Sequence, residues 1–133
     1  MDNIIFESGF VLIPQGRHIM TVTKINYKKE FGKLEIVMKN ESNITHIERF
    51  NLKTKGGSYA FGMFAKTTLN DFGITEIDPE KLIGKKIGVV IDHREVPSTK
   101  NEGEMNTFAN IVEKFVVEQT VDVNNINLDN LLG

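Results

Sequence analysis

The amino-acid sequence predicts a mainly β domain of five strands with one long helix between the third and the fourth. Three observations carry that class. First, the stretch from Gly56 to Phe72, GGSYAFGMFAKTTLNDF, has apolar residues at spacings of three and four: Phe61, Phe64, Ala65, Thr68, Leu69 and Phe72. That spacing puts them on one face of a helix. Second, three alternating runs precede this segment and two follow it. Third, the alternation slips inside the first run, where His18, Met20 and Val22 are continued one residue late by Ile25 and Tyr27. A slip of that kind marks a β-bulge, the device that bends a strand around the corner of a small barrel. Three strands, a helix and two strands, with a bent first strand, are the elements of a five-stranded Greek-key barrel of the OB type, whose helix plugs one end.

Taken in order, residues 1–15 read as irregular, with apolar clumps at Ile4, Ile5 and Phe6 and from Phe10 to Ile13. Pro14 and Gly16 form a turn that launches the first strand, which runs from His18 to Tyr27. Lys28, Lys29, Glu30 and Gly32 make the next turn. Strand two then sets Leu34, Ile36 and Met38 against Glu35, Val37 and Lys39, the cleanest alternation in the chain. Asn40 to Asn43 connects it to strand three, Ile44 to Lys53, whose phase is less regular. Ser58 is expected to cap the central helix and Gly73 to close it. In DPEKLIG, Asp78 suits an N-cap, Pro79 the first helical position and Gly84 the stop, so a short helix is expected there. Strand four spans Lys85 to His93, with Ile87, Val89 and Ile91 on one face. Arg94 to Thr107 is polar and aperiodic and reads as a mobile hairpin loop. Strand five, Phe108 to Val117, is partly apolar on both faces, as in a strand covered on each side. These elements make one domain, residues 1–117, followed by a flexible acidic tail, residues 118–133.

The chain of 133 residues has the size of a single domain with a real core. With 40% apolar and 26% charged residues it has the composition of a soluble globular protein, and no run approaches the roughly 20 apolar residues that span a bilayer. No basic segment precedes the first apolar clump, so a secretory leader is not expected and a cytoplasmic location is. Cysteine is absent, which removes disulfides, thiolate nucleophiles and Cys-based zinc sites. The net charge of -2 hides an asymmetry. All 16 Lys and Arg fall between residues 16 and 117, whereas Asp2, Glu7, Glu118, Asp122 and Asp129 lie outside that span. A slightly basic body with an acidic tail points toward nucleic acid.

No catalytic constellation emerges, so an enzyme is not expected. His18, His46 and His93 lie in different strands without the spacing of a metal site, and neither a phosphate-binding glycine loop nor a paired-carboxylate site is present. No metal or cofactor is therefore expected. Binding chemistry is easier to find. An OB barrel holds single strands across its second and third strands and the flanking loops, stacking bases on aromatic rings while cations follow the phosphates. In INYKKEFGK, Tyr27 and Phe31 bracket Lys28 and Lys29, with Lys24 before them and Lys33 after. Arg49, Lys53 and Lys55 on and beyond strand three would extend the cationic track, as would Arg94 and Lys100 in the long loop. The competing reading of the same residues is structural, with Tyr27 in the core and Phe31 packed beneath the turn.

The runs FVLIPQGRHIMTVTKI, EIVMKN, LNDFGI and DPEKLIGKKIGVVIDH, followed by a strand ending in EKF, together resemble a family of small proteins encoded in bacteriophage replication and recombination cassettes. That family is similar to OB-fold single-stranded DNA-binding proteins. The resemblance spans about residues 10 to 117 and rests on turn glycines and core alternation, so it speaks to fold more than to function. It implies stoichiometric coating of single-stranded DNA without sequence preference, in the cytoplasm of the infected bacterium. Such proteins end in an acidic tail with an apolar tip that recruits replication or recombination proteins. Here the end NLDNLLG is similar in outline, with Asp129, Leu131 and Leu132 as the partner-binding residues it implies. It departs in having few Asp, several Asn, and Leu-Leu-Gly at the tip. Strand five or the N-terminal apolar segment offers a surface for a second copy, as in a homo-oligomer. The alternative is a protein-binding adaptor or inhibitor that uses the same barrel as its platform.

Overall fold

β1 (Gly16–Lys28) is the hub of the sheet, because its two halves pair with different strands. The computed structural model describes residues 11–100 and 102–118. In it, Gly16 to Thr21 pair antiparallel with β4 (Lys86–Pro97), and Thr21 to Lys28 with β2 (Lys33–Lys39). The bulge expected from the phase slip lies between Val22 and Lys24. Thr23 is the extra residue, and its hydroxyl donates to the Val37 carbonyl at 3.2 Å. The Val22 backbone turns away to Lys85 and Gly84, donating to the former at 2.9 Å and accepting from the latter at 2.8 Å. β3 (Thr45–Asn51) pairs with β2 and β5 (Met105–Phe115) with β4, giving the antiparallel order β3-β2-β1-β4-β5. The mainly β class, the five strands and the helix between β3 and β4 are thus as the sequence implies. β3 and β5 are the edges of this sheet, and they line opposite sides of one cleft.

The core lies on the inner face of the sheet. Met20 and Val22 of β1, Leu34, Ile36 and Met38 of β2, and Ile87, Val89 and Ile91 of β4 are at most 2% exposed. α1 (Lys55–Leu69) docks on this face by setting Phe64 and Phe61 edge-on against Phe50 of β3, each at 5.7 Å between centroids. Thr67 and Thr68 are also buried, and each hydroxyl donates back to the carbonyl four residues earlier, at 2.7 Å. Their polar atoms therefore cost the core little. In DPEKLIG the expected helix is a single 3-10 turn, Pro79–Leu82, with Asp78 accepting from the Glu80 amide and Leu82 fully buried.

Both ends of α1 differ from the sequence reading. Thr54, not Ser58, is the N-cap, and its hydroxyl oxygen accepts from the Gly57 amide at 2.9 Å. Asn70 in the left-handed conformation closes the helix, not Gly73, so Phe72 falls beyond its end and is 53% exposed instead of completing the apolar stripe. The cause at the N-terminus is a close approach of backbones. A Cβ on Gly57 would lie 1.9 Å from the Asn51 carbonyl oxygen, which lets the helix start directly off the end of β3.

The expected loop from Arg94 to Thr107 is strand at both of its ends. β4 continues to Pro97 and β5 begins at Met105, with Ser98 donating to the Glu104 carbonyl at 2.8 Å. Cross-strand pairing supplies the order that the polar sequence conceals. β5 is an edge strand with mostly exposed side chains, rather than one covered on both faces, and Phe115 is held where its ring lies over Gly88 and beneath Arg17, whose guanidinium carbon is 4.0 Å from the ring centroid. Residues 11–15 are irregular, as expected, yet firmly tied. Ile13 is 1% exposed, and the Nε2–H groups of His93 and His18 donate to the carbonyls of Ile13 and Pro14 at 2.6 and 2.7 Å. The tail from residue 119 onward, with Asp129, Leu131 and Leu132, lies outside the described residues.

Gly57→Ala is expected to destabilise the protein by about 1–3 kcal/mol through overpacking against the end of β3. Gly56→Ala, with open space at its Cβ position, should be neutral or stabilising by up to about 1 kcal/mol. Urea denaturation of the two variants side by side checks the contrast.

Candidate nucleic-acid interface

Because Leu34, Ile36 and Met38 point into the core, the alternate residues of β2 must point outward. Residues directly opposite one another in a ladder share a face, so the register assembles three outward rows across β1, β2 and β3. Lys28, Lys33 and Asn51 form one, Asn26, Glu35 and Arg49 the next, and Lys24, Val37 and Ile47 the third. The bulge makes this possible for β1, since it shifts Lys24, Asn26 and Lys28 to the outer face while Met20 and Val22 stay inside. The first two rows enclose a cleft of about 420 Å³ lined by Asn26, Lys28, Lys33, Glu35, Arg49 and Asn51, with Leu34 and Phe50 beneath.

Glu35 sits at the centre of that cleft. One carboxylate oxygen, Oε2, accepts from Arg49 Nε at 2.8 Å, and the other, Oε1, from Asn26 Nδ2 at 3.2 Å. The Arg49 hydrogen bond, reinforced by its charge and by Asn26 and Lys28, holds the Glu35 carboxyl below the ordinary glutamate range. Arg49 keeps its side chain 67% exposed while bonded to Glu35.

Arg49 also borders a second cleft, of about 810 Å³, between the two sheet edges. Its walls include Thr45, His46 and Ile47 from β3, Thr107, Phe108 and Ala109 from β5, and Val11 to Ile13. Val11, Ile47 and Phe108 expose 51, 36 and 51% of their surface, so this cleft is largely apolar. The two clefts meet at Arg49. Arg49 therefore borders both a cleft lined by cations and an apolar one that holds an exposed aromatic ring.

The residues singled out from the sequence divide accordingly. Lys28, Lys33 and Arg49 come together in the first cleft, and Lys24 shares their face one row away. Lys29 and Phe31 lie in the 3-10 turn between β1 and β2, where the Phe31 ring is 58% exposed and not packed beneath the turn. Lys53 is brought to this turn, since Leu52 donates to the Gly32 carbonyl at 2.7 Å and the Lys53 stem approaches Gly32. Tyr27 is opposite Leu34 and so belongs to the inner face, at its margin, with 44% of its surface exposed. Lys55 is the first residue of α1. Arg94 is in β4 instead of a loop, directly opposite Phe108, and Lys100 is exposed in the hairpin turn. Asn26, Glu35, Asn51, Ile47 and Phe108 were not singled out. The β2 alternation sets Glu35 on the face opposite the core and is the signal that could mark it, whereas Phe108 needs the β4-β5 register.

Among the described residues, no group of His, Asp or Glu is placed to hold a metal ion, and no helix is long and apolar enough to cross a membrane. No protein-family model and no curated protein sequence matches the chain.

A carboxyl with a depressed folded-state pKa adds stability that is present above its unfolded value and is lost as pH falls through the folded one. The Glu35–Arg49 pair should therefore weaken only in acid below the ordinary glutamate range. Carboxyl-detected NMR titration should find the Glu35 midpoint below the ordinary glutamate range, and Arg49→Ala should move it upward. An unchanged midpoint in that variant would mean that Arg49 is not its cause.

Proposed function

We propose that this protein coats single-stranded DNA without sequence preference, as part of a bacteriophage replication or recombination cassette, in the cytoplasm of the infected cell. The observation that carries the reading is the convergence of Lys28, Lys33 and Arg49, from three strands, in one outward cleft that shares Arg49 with the cleft holding the exposed Phe108 ring. Backbone-tracking cations beside stacking surfaces are the chemistry that binds single strands. Strand order and helix position fit a partly open OB-type barrel, in which α1 covers one end and the β3 and β5 edges face each other. On that arrangement the strands that carry the cleft, the turn with Phe31 and the hairpin after Arg94 are the binding elements. Stacking falls to Phe31 and Phe108, and phosphate pairing to Lys28, Lys33 and Arg49, with Lys24, Lys29 and Lys53 at the margins. The acidic tail, through Asp129, Leu131 and Leu132, would recruit replication or recombination proteins.

Titration of labelled oligothymidine, followed by anisotropy at several salt concentrations, tests this. Three neutralised phosphates give a slope of log K against log salt near about -2 for a single strand. Phe108→Ala and Phe31→Ala should each weaken binding by about 5- to 150-fold, the loss of one stacked base at roughly 1–3 kcal/mol. Equal affinity for duplex DNA, or no binding at low salt, would turn the reading toward a protein-binding use of the same face.

A further inference from the structure

The first cleft is built to hold an anion, and in the free protein it holds one of the chain's own. Donors from two flanking strands close on the Glu35 carboxylate: Asn26 of β1 on one oxygen and Arg49 of β3 on the other. Lys28 adds its charge from β1, and Lys33 lines the same cleft from β2. Among the described residues, Glu35 is the acidic side chain in that lining. Both of its oxygens are engaged, as those of a bound phosphate would be. The cleft is nevertheless open to solvent, with the Glu35 side chain 30% exposed, so an arriving anion can reach the donors without unfolding anything.

We infer that Glu35 is a built-in competitor, occupying the phosphate position between Asn26 and Arg49 until a phosphate group displaces it. The inference deepens the nucleic-acid reading and rests on it for the source of the phosphate. Displacement forms ion pairs between a phosphate oxygen and Arg49 and breaks the one between Arg49 and Glu35. The exchange leaves the affinity at this point low and the strand free to move on. Glu35 thereby sets a ceiling on how tightly any one phosphate is gripped, which suits a protein that must yield its DNA to enzymes.

Glu35→Gln tests this by the sign of its effect. The variant keeps the side-chain shape and an acceptor for Asn26 but removes the competing charge. If Glu35 competes, the variant binds oligothymidine about two- to fivefold more tightly, the scale of an exposed ion pair. If Glu35 merely holds Arg49 in place, binding weakens in the variant, and the inference falls. The double variant Glu35→Gln/Arg49→Gln should lose the gain; a gain that persists would reflect net charge alone and also overturn the inference. Inorganic pyrophosphate, followed by the NMR shift of Arg49 Nε–H, separates this from the nucleic-acid reading. Tighter pyrophosphate binding in Glu35→Gln with no oligothymidine binding by either protein would keep the anion site and remove the DNA.

Discussion

Everything on the outer face depends on one extra residue in β1. A β-strand alternates strictly between faces, so a strand that buries Met20 and Val22 would, if regular, bury Lys24, Asn26 and Lys28 as well. The bulge at Thr23 reverses the phase, keeping Met20 and Val22 in the core and sending those three residues outward. The same residue lets β1 leave β4 and turn to β2. Burying two lysines without partners would cost far more than the ladder hydrogen bonds lost at the bulge. The register is accordingly well determined, and the cationic cleft is a direct result of it.

Close backbone approaches do the remaining work of shaping the sheet. Gly57 allows α1 to begin against the end of β3, and from there Phe61 and Phe64 reach Phe50. Gly88 leaves room for the Phe115 ring, which spans from β5 across β4 to Arg17 on β1 and so pins the strand at the edge of the sheet. At the other edge, the turn holding Phe31 is tied to the end of β3 through Gly32 and Leu52. Two of the three histidines belong to the same scheme. His18 and His93 fasten residues 13 and 14 by backbone bonds, and Asn40 donates to the remaining ring nitrogen of His18 at 3.2 Å. That places the buried Ile13 anchor at the cleft between the edges.

The charge arrangement of the first cleft is balanced rather than simply basic. Three cations and one carboxylate share it, and the carboxylate takes the best-placed donor. Such a surface attracts polyanions at moderate strength, because part of its positive field is already spent internally. A net charge of -2 for the whole chain is consistent with that restraint. The apolar cleft beyond Arg49 supplies contact area of a different kind, insensitive to salt. On the proposed nucleic-acid reading, the two clefts would divide binding into a screened part and an unscreened part.

The sequence by itself determined the elements with strong periodicity: the alternation of β2, the helical face around Phe64, and the bulge in β1. Local spacing is enough there, because burial of one face leaves no other phase. The mainly β class and the helix between the third and fourth strands follow from the same signals. Helix ends and the β4-β5 hairpin were decided by tertiary structure. Thr54 won the cap over Ser58 because the end of β3 sets where α1 starts, and the polar residues after His93 became strand because β5 supplied the missing hydrogen bonds. The candidate site shows the same division. Lys28, Lys33 and Arg49 were visible as cations near turns, but only the register across three strands brings them together and places Glu35 between them. Side chains far apart in sequence meet by pairing geometry, and that geometry is a property of the sheet, not of any single strand.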